Sequence, residues 1–129
     1  MVFLRSLALV LLALAITGCG RRGPDLPELG RVQGTVTLNG KPIHNAAVGF
    51  YPLSGGQTSV SLIDREGHYD LAIVDGDRGA ETGMSEVKVF WPEGWSPTAK
   101  IPEKYNAKSE LQFEVKPGNN TYDIVMESK

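Results

Sequence analysis

The chain has 129 residues, 15 acidic against 13 basic, and a formal net charge of −2, which excludes the strongly basic footprint of a nucleic-acid binder. Its 41% hydrophobic content is too high for wholesale disorder, and its 15 glycines and 8 prolines suit a chain that reverses direction often. One domain is the sensible count, because a body of about 100 residues buries roughly 65% of the surface its unfolded chain exposes, enough for one core.

Residues 1–18 carry one positive charge at Arg5, an apolar run from Leu7 to Ile16, and then small residues before Cys19. This is the layout of a secretory signal. The uncharged stretch from Ser6 to Gly18 has 13 residues, whereas a spanning helix needs about 20. The end of the run, Ile16-Thr17-Gly18-Cys19, resembles the bacterial lipobox. That resemblance implies cleavage before Cys19 and acylation of its thiol and new amino group. Each buried methylene is worth about 0.8 kcal/mol, so more than one acyl chain anchors stably. With Arg5 lost in the leader, 12 basic residues face 15 acidic ones, a net charge of −3. Cys19 is the sole cysteine, so no intrachain disulfide can form and any catalytic thiol would have to be this one.

Residues 19–30 are expected to be the lipidated cysteine and a tether. Gly20 to Gly30 lacks apolar periodicity, contains Pro24 and Pro27, and reaches about 35 Å at most when extended. Arg21 and Arg22 beside the lipid either touch anionic headgroups or are simply solvated. The expected location is therefore outside the cytoplasm, on the periplasmic or outer face of the cell envelope.

From residue 31 to 129 the pattern is one of short alternating runs. Val32, Val36 and Leu38 alternate with Gln33, Thr35 and Thr37, the period of a strand with one wet face. Asn39-Gly40 supplies a turn that tolerates positive φ. A second strand carries Val48 and Phe50, a third Val60 and Leu62. A turn at Asp64-Arg65-Glu66-Gly67 follows, in which Asp64 bonds its own backbone and Gly67 goes left-handed. Tyr69, Leu71 and Ile73 read as a fourth strand, Asp75 to Gly83 as a solvated connection, and Glu86 to Trp91 as a fifth strand. No periodicity survives from Pro92 to Lys108, and a loop of that length is either functional or packed by its own side chains. Leu111, Phe113 and Val115 mark the sixth strand, Pro117-Gly118-Asn119-Asn120 a turn, and Tyr122, Ile124 and Met126 the seventh. Seven such strands without a helix predict an all-β, antiparallel Greek-key sandwich.

The residues also carry a family likeness. Gly34-x-Val36 before Asn39-Gly40-Lys41-Pro42-Ile43, then Ala46-x-Val48-x-Phe50 and Asp64-x-x-Gly67-x-Tyr69-x-Leu71, resembles the carboxypeptidase regulatory-like, or transthyretin-like, domain. The later run through Ile101-Pro102-x-Lys104-Tyr105-Asn106, Ser109-x-Leu111, Val115-x-Pro117-Gly118-x-Asn120 and Asp123 is similar to small bacterial lipoproteins made of one such domain behind a lipobox. The likeness implies a seven-stranded prealbumin-like sandwich that usually has a structural or adhesive role, without an established activity. Where that family often has a basic residue and histidine before the fifth strand, this chain has Met84-Ser85.

Candidate chemistry is sparse. His44 and His68 lie 24 residues apart, without the spacing that preorganises a metal. Prealbumin-like dioxygenases use two tyrosines and two histidines, but the histidines here are too far apart to match. The Tyr-Arg-Gly-Ser ending of hydroxyisourate hydrolases is replaced by Met126-Glu127-Ser128-Lys129, and no Gly-x-Ser-x-Gly elbow occurs. Asp64, Glu66, His68 and Asp70 alternate ahead of Asp75 and Asp77, so a weak calcium site can be drawn, yet turn chemistry accounts for these acids without the spacing of an EF-hand. No cofactor, metal or catalytic residue is expected. Trp91, Trp95 and Tyr105 on the long loop are the candidate partner-binding residues. Such aromatics stack on sugars or anchor a peptide, and equally fold over the open end of a sandwich; Trp95 is the foremost contact candidate. The expected partners are the membrane through acylated Cys19, and an envelope protein or glycan.

Overall fold

A computed structural model describes residues 28–74 and 76–128. Cys19, the expected leader and most of the expected tether lie outside the described residues. The described chain is all-β. Its strands are β1 (Leu29–Leu38), β2 (Lys41–Pro42), β3 (Ala47–Pro52), β4 (Ser59–Leu62), β5 (His68–Asp70), β6 (Ala72–Ile73), β7 (Ala80–Glu81), β8 (Gly83–Phe90), β9 (Gln112–Val115), β10 (Gly118–Thr121) and β11 (Ile124–Met126). One 3-10 turn, Glu103–Tyr105, interrupts the long loop.

Two sheets face each other, the architecture of a β-sandwich. The five-stranded sheet is antiparallel throughout, in the order β6-β4-β3-β8-β9. The other is built around β1. Along one edge β1 pairs antiparallel with β7, β5 and β2 in turn. Along its other edge it pairs in parallel with β10 and β11, Gly30 opposite Gly118 and Val36 opposite Ile124, a constant offset that makes β10 and β11 one interrupted strand.

Eleven segments replace seven because one predicted strand is split and three short strands, β2, β7 and β10, are added. The run Tyr69, Leu71, Ile73 does not stay in one sheet: β5 pairs with β1 and β6 with β4, the chain crossing over at the fully buried Leu71. The expected turn at 117–120 is mostly strand. Asn120 folds its amide back onto the Lys116 N–H and C=O (3.0 and 2.8 Å), so the reversal tightens and the following residues pair with β1. β1 itself starts at Leu29, inside the expected tether, and β7 lies in what reads as a solvated connection.

The core follows from the alternation. Val32 and Val36 of β1 face Val48 and Phe50 of β3 and Val87 and Val89 of β8, with Ile124 and Met126 closing below; all are 2% exposed or less. Burying each such side chain contributes about 1.5–3 kcal/mol. Turn chemistry holds where it was read. Asn39 and Gly40 take φ of 53° and 82°, and Gly67 takes 84°. The Asp64 carboxylate accepts the Glu66 and His68 N–H groups at 2.9 Å each.

The parallel pairing is broken at one place. Tyr122 N–H still donates to the Gln33 carbonyl (2.9 Å), but the next bond is exchanged for side chains: the Thr35 N–H and hydroxyl go to Asp123 Oδ1 (2.9 and 3.1 Å), and the Tyr69 hydroxyl donates to the Tyr122 carbonyl. The Thr35 N–H and the Tyr122 carbonyl thereby keep partners, which is how the ladder can pause at little cost to the backbone.

Candidate functional site

Ten residues of β1 span about 30 Å, and they separate two ends of the sandwich. Leu29 sits with β7 and Gly118 at one end. Leu38, the Asn39-Gly40 turn, the end of β8 and the long loop share the other, since Leu38, Pro42 and Ile43 line a cavity together with Thr98 and Ala99 of the loop.

The loop is held down by its own groups. The Trp91 indole N–H donates to the Ala99 carbonyl (2.9 Å), and its half-buried ring packs on the core. Tyr105 is buried, and its hydroxyl accepts the Glu127 N–H at 3.0 Å, tying the loop to the end of β11. The Ser109 hydroxyl donates to the Val87 carbonyl and accepts the Leu111 N–H at 3.2 Å. Trp95, 47% exposed, stands out from this end.

The three aromatics therefore part company. Trp91 lines a cavity of about 520 Å³ with Pro97, Thr98, Lys100, Ile101 and Asn106. Trp95 and Tyr105 do not line it, and Tyr105 is spent on packing. A second, more apolar chamber of about 210 Å³ adjoins along Thr98 and Ala99, and Lys41, Pro42 and His44 complete it. Asn106, Thr98, Lys100 and Lys41 were not among the candidates read from sequence. The only local signal for them is the length of the structureless loop, because nothing in a sequence says that Lys41 after the first turn meets residue 98.

Two of the acids from which a calcium site can be drawn, Asp64 and Asp70, are committed elsewhere. Asp64 is spent on its turn, and hydrogen bonds from the His68 and Glu66 N–H groups hold its carboxyl below the usual carboxylate range. Asp70 accepts from Arg31 (2.8 Å) and Arg78 (2.5 Å), and the Arg31 bond is the main reason its carboxyl also titrates low. Among the described residues no group of three or more His, Cys, Asp or Glu side chains could hold a metal ion. His68 stands 4.0 Å from Asp64 in a side groove with Tyr69 and Asp70, while His44 lines the second chamber, so the two imidazoles belong to different surfaces.

A pH dependence follows. Because both carboxyls titrate lower in the folded chain than in the unfolded one, their stabilisation is present above the unfolded value near pH 4 and is lost as pH falls through the folded values. The melting temperature should hold from about pH 7 to about pH 5 and drop below about pH 4. Asp70→Asn should flatten that acid limb and cost about 1 kcal/mol at neutral pH, since both arginines are solvent-exposed. An unchanged acid limb in this variant would refute the assignment.

Among the described residues no helix is long and apolar enough to cross a membrane. Scans against protein-family models, curated proteins and solved structures found no match to the chain. What the described residues define is a β-sandwich with Leu29 at one end and two neighbouring cavities beside the long loop at the other.

Proposed function

We propose that this chain is an exported, lipid-anchored envelope protein: a carboxypeptidase regulatory-like, seven-stranded Greek-key sandwich of prealbumin type that serves as a structural or interaction module without catalysis. Its anchor is the acylated Cys19, and it rests on the periplasmic or outer face of the envelope. The observation that carries the reading is the placement of Leu29. The first strand starts ten residues after Cys19 and runs through the middle of a sheet, so a pull on the tether is borne by the central strand. The hydrogen bonds of β1 to strands on both of its edges resist such a load together.

The experiment is fractionation with mass spectrometry of the mature N-terminus. Native protein should pellet with membranes and carry acyl mass on Cys19, and Cys19→Ser should remain soluble or unprocessed. An unmodified Cys19 at the mature terminus removes the anchor from the account.

The cavity beside Trp91 favours a second reading, recognition of a glycan or peptide by the Trp91 to Tyr105 loop. Trp95→Ala should weaken such binding at least about fivefold while leaving the melting temperature within about 2 °C, because the ring is exposed. Lost stability with unchanged binding would make Trp95 a packing residue.

A further inference from the structure

Deepening the recognition reading, on which it rests, we infer that the two chambers at the end away from the tether take an acidic polysaccharide, a sugar chain carrying carboxylates. The argument is charge, shape and chemistry in one place. Lys41 lines one chamber and Lys100 the other, and no carboxylate lines either. Neither lysine pairs with an acid among the described residues. The chain as a whole is acidic, so two ammonium groups, one in each of two neighbouring cavities that share Thr98 and Ala99, are a local reversal of sign, the arrangement that favours an anion over a neutral ligand.

The lining distinguishes a sugar from an acidic peptide. One recurring mode of peptide recognition adds a strand to an open sheet edge, whereas these walls are side chains of the long loop together with Leu38 at the end of β1 and the short β2. Trp91 is fixed by its bond to the Ala99 carbonyl and offers an indole wall to the C–H face of a pyranose ring. Asn106 and Thr98 add an amide and a hydroxyl that match ring hydroxyls. Two neighbouring cavities, of about 520 Å³ and about 210 Å³ with Thr98 and Ala99 in common, suit successive units of a chain with a carboxylate at each lysine. The position about 30 Å along β1 from Leu29 presents the opening away from the anchored end.

The test is calorimetric titration of the purified full-length protein with three probes: an oligouronate of about six sugars, a neutral glucan of the same length, and an oligoglutamate peptide. The oligouronate should bind, at least about tenfold tighter than either of the others, and should weaken as salt rises from about 20 mM to about 300 mM. The double variant Lys41→Gln/Lys100→Gln should lose about tenfold or more in Kd with an unchanged far-ultraviolet spectrum, both side chains being exposed. Failure of the oligouronate to bind, or equal binding by the double variant, overturns the inference. Tighter binding of the neutral glucan or of oligoglutamate also overturns it while leaving recognition by the loop standing; if none of the three binds, that broader reading falls with it.

Discussion

Gly34→Ala should cost about 3–5 kcal/mol, more than most single substitutions in a domain whose whole stability is about 5–15 kcal/mol. A Cβ at this position would stand 2.0 Å from the Tyr122 carbonyl oxygen and 2.7 Å from its carbon, with Tyr69 Cε1 at 3.0 Å. Two of the three obstacles are backbone, which cannot swing aside as a long side chain would. Relief requires β1 to part from the chain between β10 and β11 at the site where the Tyr69 hydroxyl and the Asp123 carboxylate stand in for ladder bonds. Those exchanged bonds would be lost together, leaving a half-buried carbonyl and a more exposed amide unpaired, at up to about 1–3 kcal/mol for the first and less for the second. For a domain of this size the melting temperature should fall by about 15 °C or more.

The matched comparison is Gly40→Ala. Gly40 has φ of 82° and nothing within 4 Å of the added carbon, so the cost there is backbone strain alone, about 1–2 kcal/mol. Gly34 is the reverse case, with no left-handed φ and no room. If Gly34→Ala unfolds at a denaturant concentration no lower than Gly40→Ala does, the close approach of β1 to Tyr122 is not what holds this sheet.

The two glycines also show where a sequence is readable. Asn39-Gly40 and Asp64 to Gly67 act on their own neighbours, so their turns could be named from residue type and were. Gly34 sits inside an alternating run, and a glycine there announces a bulge or a close neighbour without saying which. Its neighbour is Tyr122, and the accompanying bond from Thr35 to Asp123 spans 88 positions of sequence. The same limit explains the fourth run. Tyr69, Leu71 and Ile73 keep their period through a crossing between sheets, because Leu71 stays buried while its N–H bonds to Val32 and its carbonyl to Gly79. In the long loop the limit is sharper still. Trp91, Trp95 and Tyr105 are alike by composition, and only the bonds to Ala99 and Glu127 divide the cavity wall from the exposed ring and the packed one. The sandwich and its inward valines were legible, whereas the parallel closure and the lysines of the two chambers depend on contacts between distant segments.

Phe50→Ala should cost about 3–5 kcal/mol through lost burial and the cavity left behind. Phe50 is fully buried at the middle of β3, itself the middle strand of the five-stranded sheet. Its ring meets two others edge-on, Phe113 at 6.0 Å and 64° and Tyr122 at 6.3 Å and 75°, while those two stack on each other at 4.6 Å and 20°. Phe113 belongs to β9 in the same sheet and Tyr122 joins β10 to β11 in the other, so this cluster bridges the two layers. Phe50→Leu, which keeps most of the volume, should cost less than about 1.5 kcal/mol. The interaction itself is separable from burial by a double-mutant cycle with Tyr122→Leu, where a coupling of about 0.5–1.5 kcal/mol is expected. Tyr122 reports on it independently. Burial raises its phenol above the ordinary tyrosine range, so in the native protein its ionisation should begin later than that of a free tyrosine, and Phe50→Ala, by admitting water, should bring it earlier. Additive single and double variants, with an unmoved Tyr122 titration, would mean that the sheets are joined by area alone and that the ring geometry adds nothing.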